Sequence, residues 1–194
     1  MKNIIKKYPV VFTIVMICLL FAIVTSFCVK MYNLFLFHSK PVYIWQYFSG
    51  TFMHGGLEAP KWFLWVHLFL NCLMIIPFGS ILENEKGSKY TFVIFIVTLV
   101  ISSIVFHILT LPYSQYITAS GISSIGYAFI TGGILNIKKL WKTYSIKIKV
   151  FYIILIILSL IMLLPTITGW MATVLHLTGV GSYFITNFFI KSKK

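Results

Sequence analysis

The sequence predicts an all-α membrane protein: a six-transmembrane-helix bundle with a long first outer connection lying in the membrane interface. Three observations predict it. Hydrophobic residues make up 59% of the 194-residue chain and charged residues only 10%, against about 25% charged in ordinary soluble domains. Lipid must therefore be the solvent for most of the surface. Six apolar stretches of near-spanning length recur along the chain, and the lysines between them gather in alternate connections. The even spread of these stretches makes 1–194 a single membrane domain.

A bilayer core needs roughly 20 mostly apolar residues per helix. The first stretch, 9–29, meets that length and lacks an Ala-x-Ala-like site, so it reads as a span and not as a cleavable leader. The connection 30–62 carries Trp45, Tyr47, Phe48, Phe52 and Trp62, with Trp65 just beyond; such aromatics favour the membrane–water boundary. The second span, 63–82, holds His67 and Asn71 four residues apart, on one helix face. The third is 91–111. The fourth, 117–136, is rich in small residues from Thr118, Ser120 and Gly121 to Gly132 and Gly133, which lets helix backbones approach closely and places it at the centre of the bundle. The Lys-rich 138–149 segment anchors topology, and 149–165 and 170–190 complete the set.

The lysines set the orientation. A cytoplasmic N-terminus puts Lys2, Lys6, Lys7, Lys86, Lys89, Lys138, Lys139, Lys142, Lys147, Lys149, Lys191, Lys193 and Lys194 inside and only Lys30, Lys40 and Lys61 outside. This is a multi-pass plasma-membrane protein with both termini cytoplasmic. The net charge of +13 does not indicate nucleic acid. Every basic residue is Lys, whereas Arg is the usual bidentate reader of phosphates and bases. Cys18, Cys28 and Cys72 have no metal-ligand spacing and read as small buried hydrophobes.

Polar groups at membrane depth are costly and mark function. At 1.5 Å per residue, His67 lies roughly 7–8 Å below the outer end of its span and His176 roughly 9 Å below its own. Ser120 lies three residues into the fourth span by the same reckoning. Taken singly, Ser120 is a packing serine, His176 an interhelical hydrogen-bond partner and Asn71 a glue residue. Together, four polar groups from three helices meet in the outer half of the membrane. A serine hydroxyl needs an adjacent base, which a buried neutral imidazole supplies; His67 and Asn71 can donate to an oxyanion. The chain has no Asp, and its carboxylates are Glu58, Glu83 and Glu85. None lies at an outer-half helix position, so the unit is a Ser–His dyad and not a triad.

Several motifs then resemble one family. Trp45-Gln46-Tyr47 through Thr51-Phe52-Met53-His54 resembles the rhomboid segment leading into the first loop. His67 to Asn71 resembles its His-x-x-x-Asn, and Phe78-Gly79-Ser80-Ile81-Leu82-Glu83 with Gly87 resembles its Phe-Gly-x-x-Leu-Glu-x-x-x-Gly. Ala119-Ser120-Gly121 resembles the nucleophile motif, and His176-Leu177-Thr178-Gly179 the base motif of the last span. The ordered set runs from about 45 to 179. The resemblance implies an intramembrane serine endopeptidase that cuts single-span or multi-span membrane proteins near the extracytoplasmic end of a transmembrane segment, through an acyl-enzyme. It implies Ser120 as nucleophile and His176 as base. His67, Asn71 and the Ser120 backbone N–H would form the oxyanion hole. It implies no metal and no organic cofactor, and substrate access from lipid between the second and fifth spans.

The chain departs from the family pattern at four places. Thr118 stands where Gly is usual and crowds the oxyanion region. Ser124 occupies the position four after Ser120, where an aromatic packs on the catalytic imidazole. Tyr183 replaces a second small residue after the base and loosens the last helix on the fourth. Twelve residues separate His54 from His67, an insertion that includes Glu58, Pro60 and Trp62 and lengthens the interfacial loop. Two other functions compete. A non-enzymatic relative that binds membrane clients would lack the Ser or the His. A transporter or channel would show paired discontinuous helices at the midplane.

Overall fold

The computed structural model describes residues 6–40, 43–56, 59–113 and 117–190, without the Lys139 side chain. Lys2, Glu58, Lys191, Lys193, Lys194 and part of the 112–116 connection lie outside the described residues. The elements are α1 (Pro9–Phe27), α2 (Met31–Phe35), β1 (Phe37–His38), α3 (Gln46–Ser49) with a following 3-10 turn (Gly50–Phe52), α4 (Lys61–Lys86), α5 (Ser88–Thr110), β2 (Thr118–Ala119), α6 (Ser123–Asn136), α7 (Lys138–Thr143), α8 (Ile146–Ile161), α9 (Pro165–Thr168) and α10 (Trp170–Phe189). Three of these, α1, α4 and α5, are long and apolar enough to cross a membrane.

The bundle forms because each long helix is apolar on nearly every face and finds neighbours only on one. Along α4 the buried positions Leu64, Leu68, Asn71, Ile75, Phe78 and Leu82 recur every three or four residues, the spacing of a single helix stripe. Its opposite positions, Phe69 and Ile76 among them, stay exposed. Exposed apolar side chains on this scale are a surface made for lipid. At the far end of α4, Glu83 is buried and accepts the backbone N–H groups of Val10 and Val11 at 3.0 and 3.1 Å. These are first-turn donors of α1, which a helix leaves unpaired and which favour negative charge. One carboxylate thus joins the start of α1 to the end of α4.

The small-residue stretch is central, as its composition predicts, but its helix is shorter than expected. The helix α6 begins at Ser123, so 117–122 lies ahead of it as irregular chain and a two-residue strand. Within its 14 residues, nine are buried, including Ile125, Phe129, Gly132 and Gly133. The expected 149–165 span is likewise shifted: α8 ends at Ile161, and Pro165 opens the short α9. The outer connection 30–62 is held by two small helices and a strand pair. Trp45 and Phe48 are exposed, while Gln46 and Ser49 are buried and bond the carbonyls of Asn33 and Phe35.

Helices α6 and α10 touch backbone to backbone. A Cβ placed on Gly179 would collide with the Ser124 carbonyl oxygen. Tyr183, which sequence alone suggests would loosen this packing, is 2% exposed. Its ring fills the space a side chain at Gly132 would need, at 2.7 Å from the ideal Cβ there, and its hydroxyl meets Asn136 Nδ2 at 3.2 Å. The large residue on α10 is matched by the missing one on α6, so the expected loosening does not occur.

This contact can be tested directly. Gly179→Ala should destabilise the protein by about 1–3 kcal/mol, the usual range for overpacking, and lower the unfolding temperature in detergent. Gly181→Ala, with open space around its Cβ position, should leave it unchanged; equal behaviour of the two variants would contradict the close approach.

Candidate active site

Three elements bring polar side chains to one end of the bundle. From α10, His176 projects towards α6, 5% exposed. Its Nδ1 lies 3.2 Å from the Met162 carbonyl oxygen. A carbonyl oxygen only accepts, so Nδ1 carries the hydrogen and Nε2 is the bare acceptor. That Nε2 is 3.0 Å from Ser123 Oγ, which donates to it. The Tyr127 ring, one helical turn past Ser123, stacks on the imidazole with centroids 4.4 Å apart and planes 26° from parallel. The Tyr127 hydroxyl in turn donates to the Ser159 carbonyl of α8.

This geometry corrects the expected pairing of Ser120 with His176. Ser120 is not on the helix. Its Oγ donates to the Gly55 carbonyl at 2.7 Å, and it belongs to a segment pinned to the outer connection: Phe37 pairs with Ala119 and His38 with Thr118, and Ser39 N–H donates to the Ile117 carbonyl at 2.8 Å. The physical reason is the turn at Gly121, where φ is +108°. Only glycine adopts that conformation without strain. The helix starts two residues later, with Ser123 facing His176 of α10.

Ser124 and Thr118 also take different parts from those expected. The aromatic support that Ser124 appeared to remove is present as Tyr127, four residues after Ser123. That spacing was a readable signal: with Ser123 as the reference position, Gly121-Ile122-Ser123 and Tyr127 fall in the family's order. Thr118 is exposed in an extended strand, a conformation that suits a β-branched residue.

His67 and Asn71 converge on the turn. A Cβ built on Gly121 would lie 2.8 Å from His67 Nε2 and 3.6 Å from Asn71 Nδ2. Any side chain there would occupy the space between these groups and the peptide leading into α6. Asn71 is 1% exposed, and its Nδ2 has no hydrogen-bond partner among the described residues. A buried donor without a partner costs stability and calls for an explanation. The first backbone N–H groups of α6 are the neighbouring donors that a helix start leaves free. Beside Ser123 opens a cavity of about 340 Å³, lined among others by Ser124, Ser102, Phe106, Met171 and Leu175; His67, Asn71 and His176 do not line it. Its hydroxyl groups make it a place for water as well as for a side chain.

His54, in the outer connection behind this site, is fully buried. Its ring stands 5.1 Å from that of His67, nearly perpendicular. Its Nδ1–H donates to the Phe52 carbonyl at 3.1 Å, and its own carbonyl accepts from the Tyr32 hydroxyl at 2.7 Å. Burial pushes the His54 imidazole down to about 3, with His67 lowering it a little further and the hydrogen bond to the Phe52 carbonyl opposing the shift.

A family model described as Rhomboid domain matches residues 41–192. No curated protein matches the chain.

The His54 shift gives a pH dependence. Between about pH 6.5 and about pH 3 the unfolded chain binds a proton on this imidazole that the folded chain does not. Stability must then fall as pH falls through that window. In His54→Asn the unfolding temperature should drop less steeply between about pH 7 and about pH 4 than in the unaltered protein. Superimposable slopes would show that His54 does not titrate this way.

Proposed function

The chain belongs to the rhomboid family, and on that premise we propose that it is an intramembrane serine endopeptidase whose nucleophile is Ser123 and whose base is His176. The observation that carries the reading is the 3.0 Å contact between Ser123 Oγ and His176 Nε2, made beside an unpartnered buried donor, Asn71 Nδ2. Ser120, the nucleophile expected from the sequence, takes a positioning role through Gly55.

The reaction follows from the hydrogen-bond directions. Ser123 Oγ attacks a peptide carbonyl as His176 Nε2 takes its proton. The Met162 carbonyl holds Nδ1–H, doing for the imidazole what a carboxylate does in a triad. The resulting oxyanion is met by Asn71 Nδ2, by His67 Nε2–H and by the Ser123 backbone N–H, which replaces the Ser120 N–H of the sequence expectation. His176 then returns the proton to the leaving amine, and an acyl-enzyme remains on Ser123. Water in the hydroxyl-lined cavity, deprotonated by the same Nε2, releases the acid product. The dyad uses neither a metal nor an organic cofactor.

The substrates are single-span or multi-span membrane proteins. A helix keeps its peptide carbonyls in its own hydrogen bonds, so none of them is open to attack by Ser123. The substrate segment must therefore unwind and enter as extended backbone, which favours a cut near the extracytoplasmic end, where water can satisfy the freed peptide groups. Helix α8 buries only Tyr152, Leu155 and Ser159, so lateral access beside it, between α4 and α8, displaces little packing. The remaining long helices α6, α8 and α10 span together with α1, α4 and α5. The whole chain is one membrane domain, and its lysine-rich end and both termini face the cytoplasm of a plasma-membrane protein.

A fluorophosphonate probe and a single-span substrate test this assignment. Ser123→Ala should abolish both labelling and cleavage. Ser120→Ala should keep labelling while losing about 0.5–1.5 kcal/mol of stability, one hydrogen bond's worth. Asn71→Ala should lower kcat by about a hundredfold or more. Labelling lost with Ser120 and retained without Ser123 would restore the sequence expectation. A folded protein that neither labels nor cleaves would be a client-binding relative.

A further inference from the structure

At the end of the bundle opposite Ser123 stand two lysine–aromatic groups, one at the start of α1 and one across α7 and α8. Lys7, just ahead of α1, stands over the Tyr8 ring at 5.1 Å and within electrostatic reach of Tyr144. Tyr144, between α7 and α8, stacks on Tyr152 with centroids 5.6 Å apart and planes 4° from parallel. Tyr152 is anchored in the core against Phe78 at 5.4 Å. On α8, Lys149 lies over the Trp141 ring of α7 at 6.0 Å. Among the described residues no carboxylate neutralises Lys7 or Lys149. Glu83, the acid beside α1, is buried and committed to the Val10 and Val11 N–H groups, and Glu85 is tied to Asn84.

Two ammonium groups thus lie over aromatic faces, and Lys142 and Lys147 stand exposed nearby in sequence. The apolar flank of this cluster continues along α8. Ile146, Val150, Ile153 and Ile157 are exposed, and their spacing puts them in one stripe along the helix. A cationic, aromatic shelf that runs directly into an uncovered aliphatic stripe matches a molecule with a phosphate at one end and a hydrocarbon chain at the other.

We propose that the Lys7–Tyr8–Tyr144 and Trp141–Lys149 groups form a binding face for an anionic diacyl phospholipid, with its phosphate drawn to these lysines and one acyl chain along the Ile146–Ile157 stripe of α8. Charge complementarity selects the occupant. A soluble anion would satisfy the lysines and leave the stripe uncovered, and a zwitterionic lipid would bring a second cation towards Lys7 and Lys149. Aromatic rings at this level suit the boundary between headgroups and chains, and fixed cations near it draw anionic lipid.

The test uses the full chain in phosphatidylcholine vesicles, with brominated lipid as quencher of Trp141 fluorescence, read as the difference between the unaltered protein and Trp141→Phe. Brominated phosphatidylglycerol should quench at a mole fraction about tenfold lower than brominated phosphatidylcholine. The pair Lys7→Gln and Lys149→Gln should abolish that preference, while Lys30→Gln with Lys61→Gln should keep it. Equal quenching by the two lipids in the unaltered protein would overturn the proposal whether or not the double variant folds. So would a preference that survives Lys7→Gln/Lys149→Gln, or one that added inorganic phosphate removes, since that would make the site one for free phosphate.

Discussion

The site depends on one hydrogen bond, from His176 Nδ1–H to the Met162 carbonyl. A serine becomes a nucleophile only beside a base whose accepting nitrogen faces it. An imidazole can present either nitrogen, and something must fix the choice. In many serine hydrolases a carboxylate does so. This chain has three acidic residues in all; of the two described, Glu83 caps α1 at the other end of the bundle and Glu85 stands beside it. A backbone carbonyl carries no net charge and avoids the large desolvation cost of a buried carboxylate. It therefore orients the ring at small cost inside a membrane. Tyr127 then limits rotation of the imidazole by stacking on it.

That arrangement makes demands on the rest of the bundle. The Met162 carbonyl lies just past α8, so the end of that helix must stay near α10. The Tyr127 hydroxyl bond to the Ser159 carbonyl holds it there. The opposite end of α8 is held by Tyr152 in its stack with Tyr144 and its edge contact with Phe78. Between these points the helix buries little. One helix thus helps orient the imidazole and remains the most loosely packed of the long helices, which are compatible properties because its two attachments sit on one side.

The outer connection supplies the other half of the site. Its strand pair with 118–119 and the Ser120 bond to Gly55 hold the segment ahead of α6. Gly121 then turns the chain so that the helix start faces His67 and Asn71. The two helices that meet there, α6 and α10, approach closely enough that the Ser124 carbonyl fills the place of a side chain at Gly179. Without a hydrophobic drive between helices in lipid, such close packing of small residues provides much of the association. The same glycines that hold the bundle together therefore set the distance across which the imidazole reaches the hydroxyl.

Composition and order alone determined that lipid is the solvent and that the small-residue segment is central, and they gave the expectation that His67, Asn71 and His176 lie at similar depth. These follow from local quantities: apolar run length, the four-residue spacing of His67 and Asn71, and the position of His176 in its span. Motif order offered both Ser120 and Ser123, and only the packed chain decided which hydroxyl among Ser120, Ser123 and Ser124 faces the imidazole. All three sit in one short polar stretch, and the answer turns on where a helix begins. That point is set by the left-handed turn at Gly121 and by β1, Gly50 and Gly55, residues more than sixty positions away that hold the preceding segment outside the helix. Sequence could not foresee that Tyr183 would fit, because the space for it lies at Gly132 on another helix. Contacts of this kind are properties of the packed chain, and they appear only when distant segments share a surface.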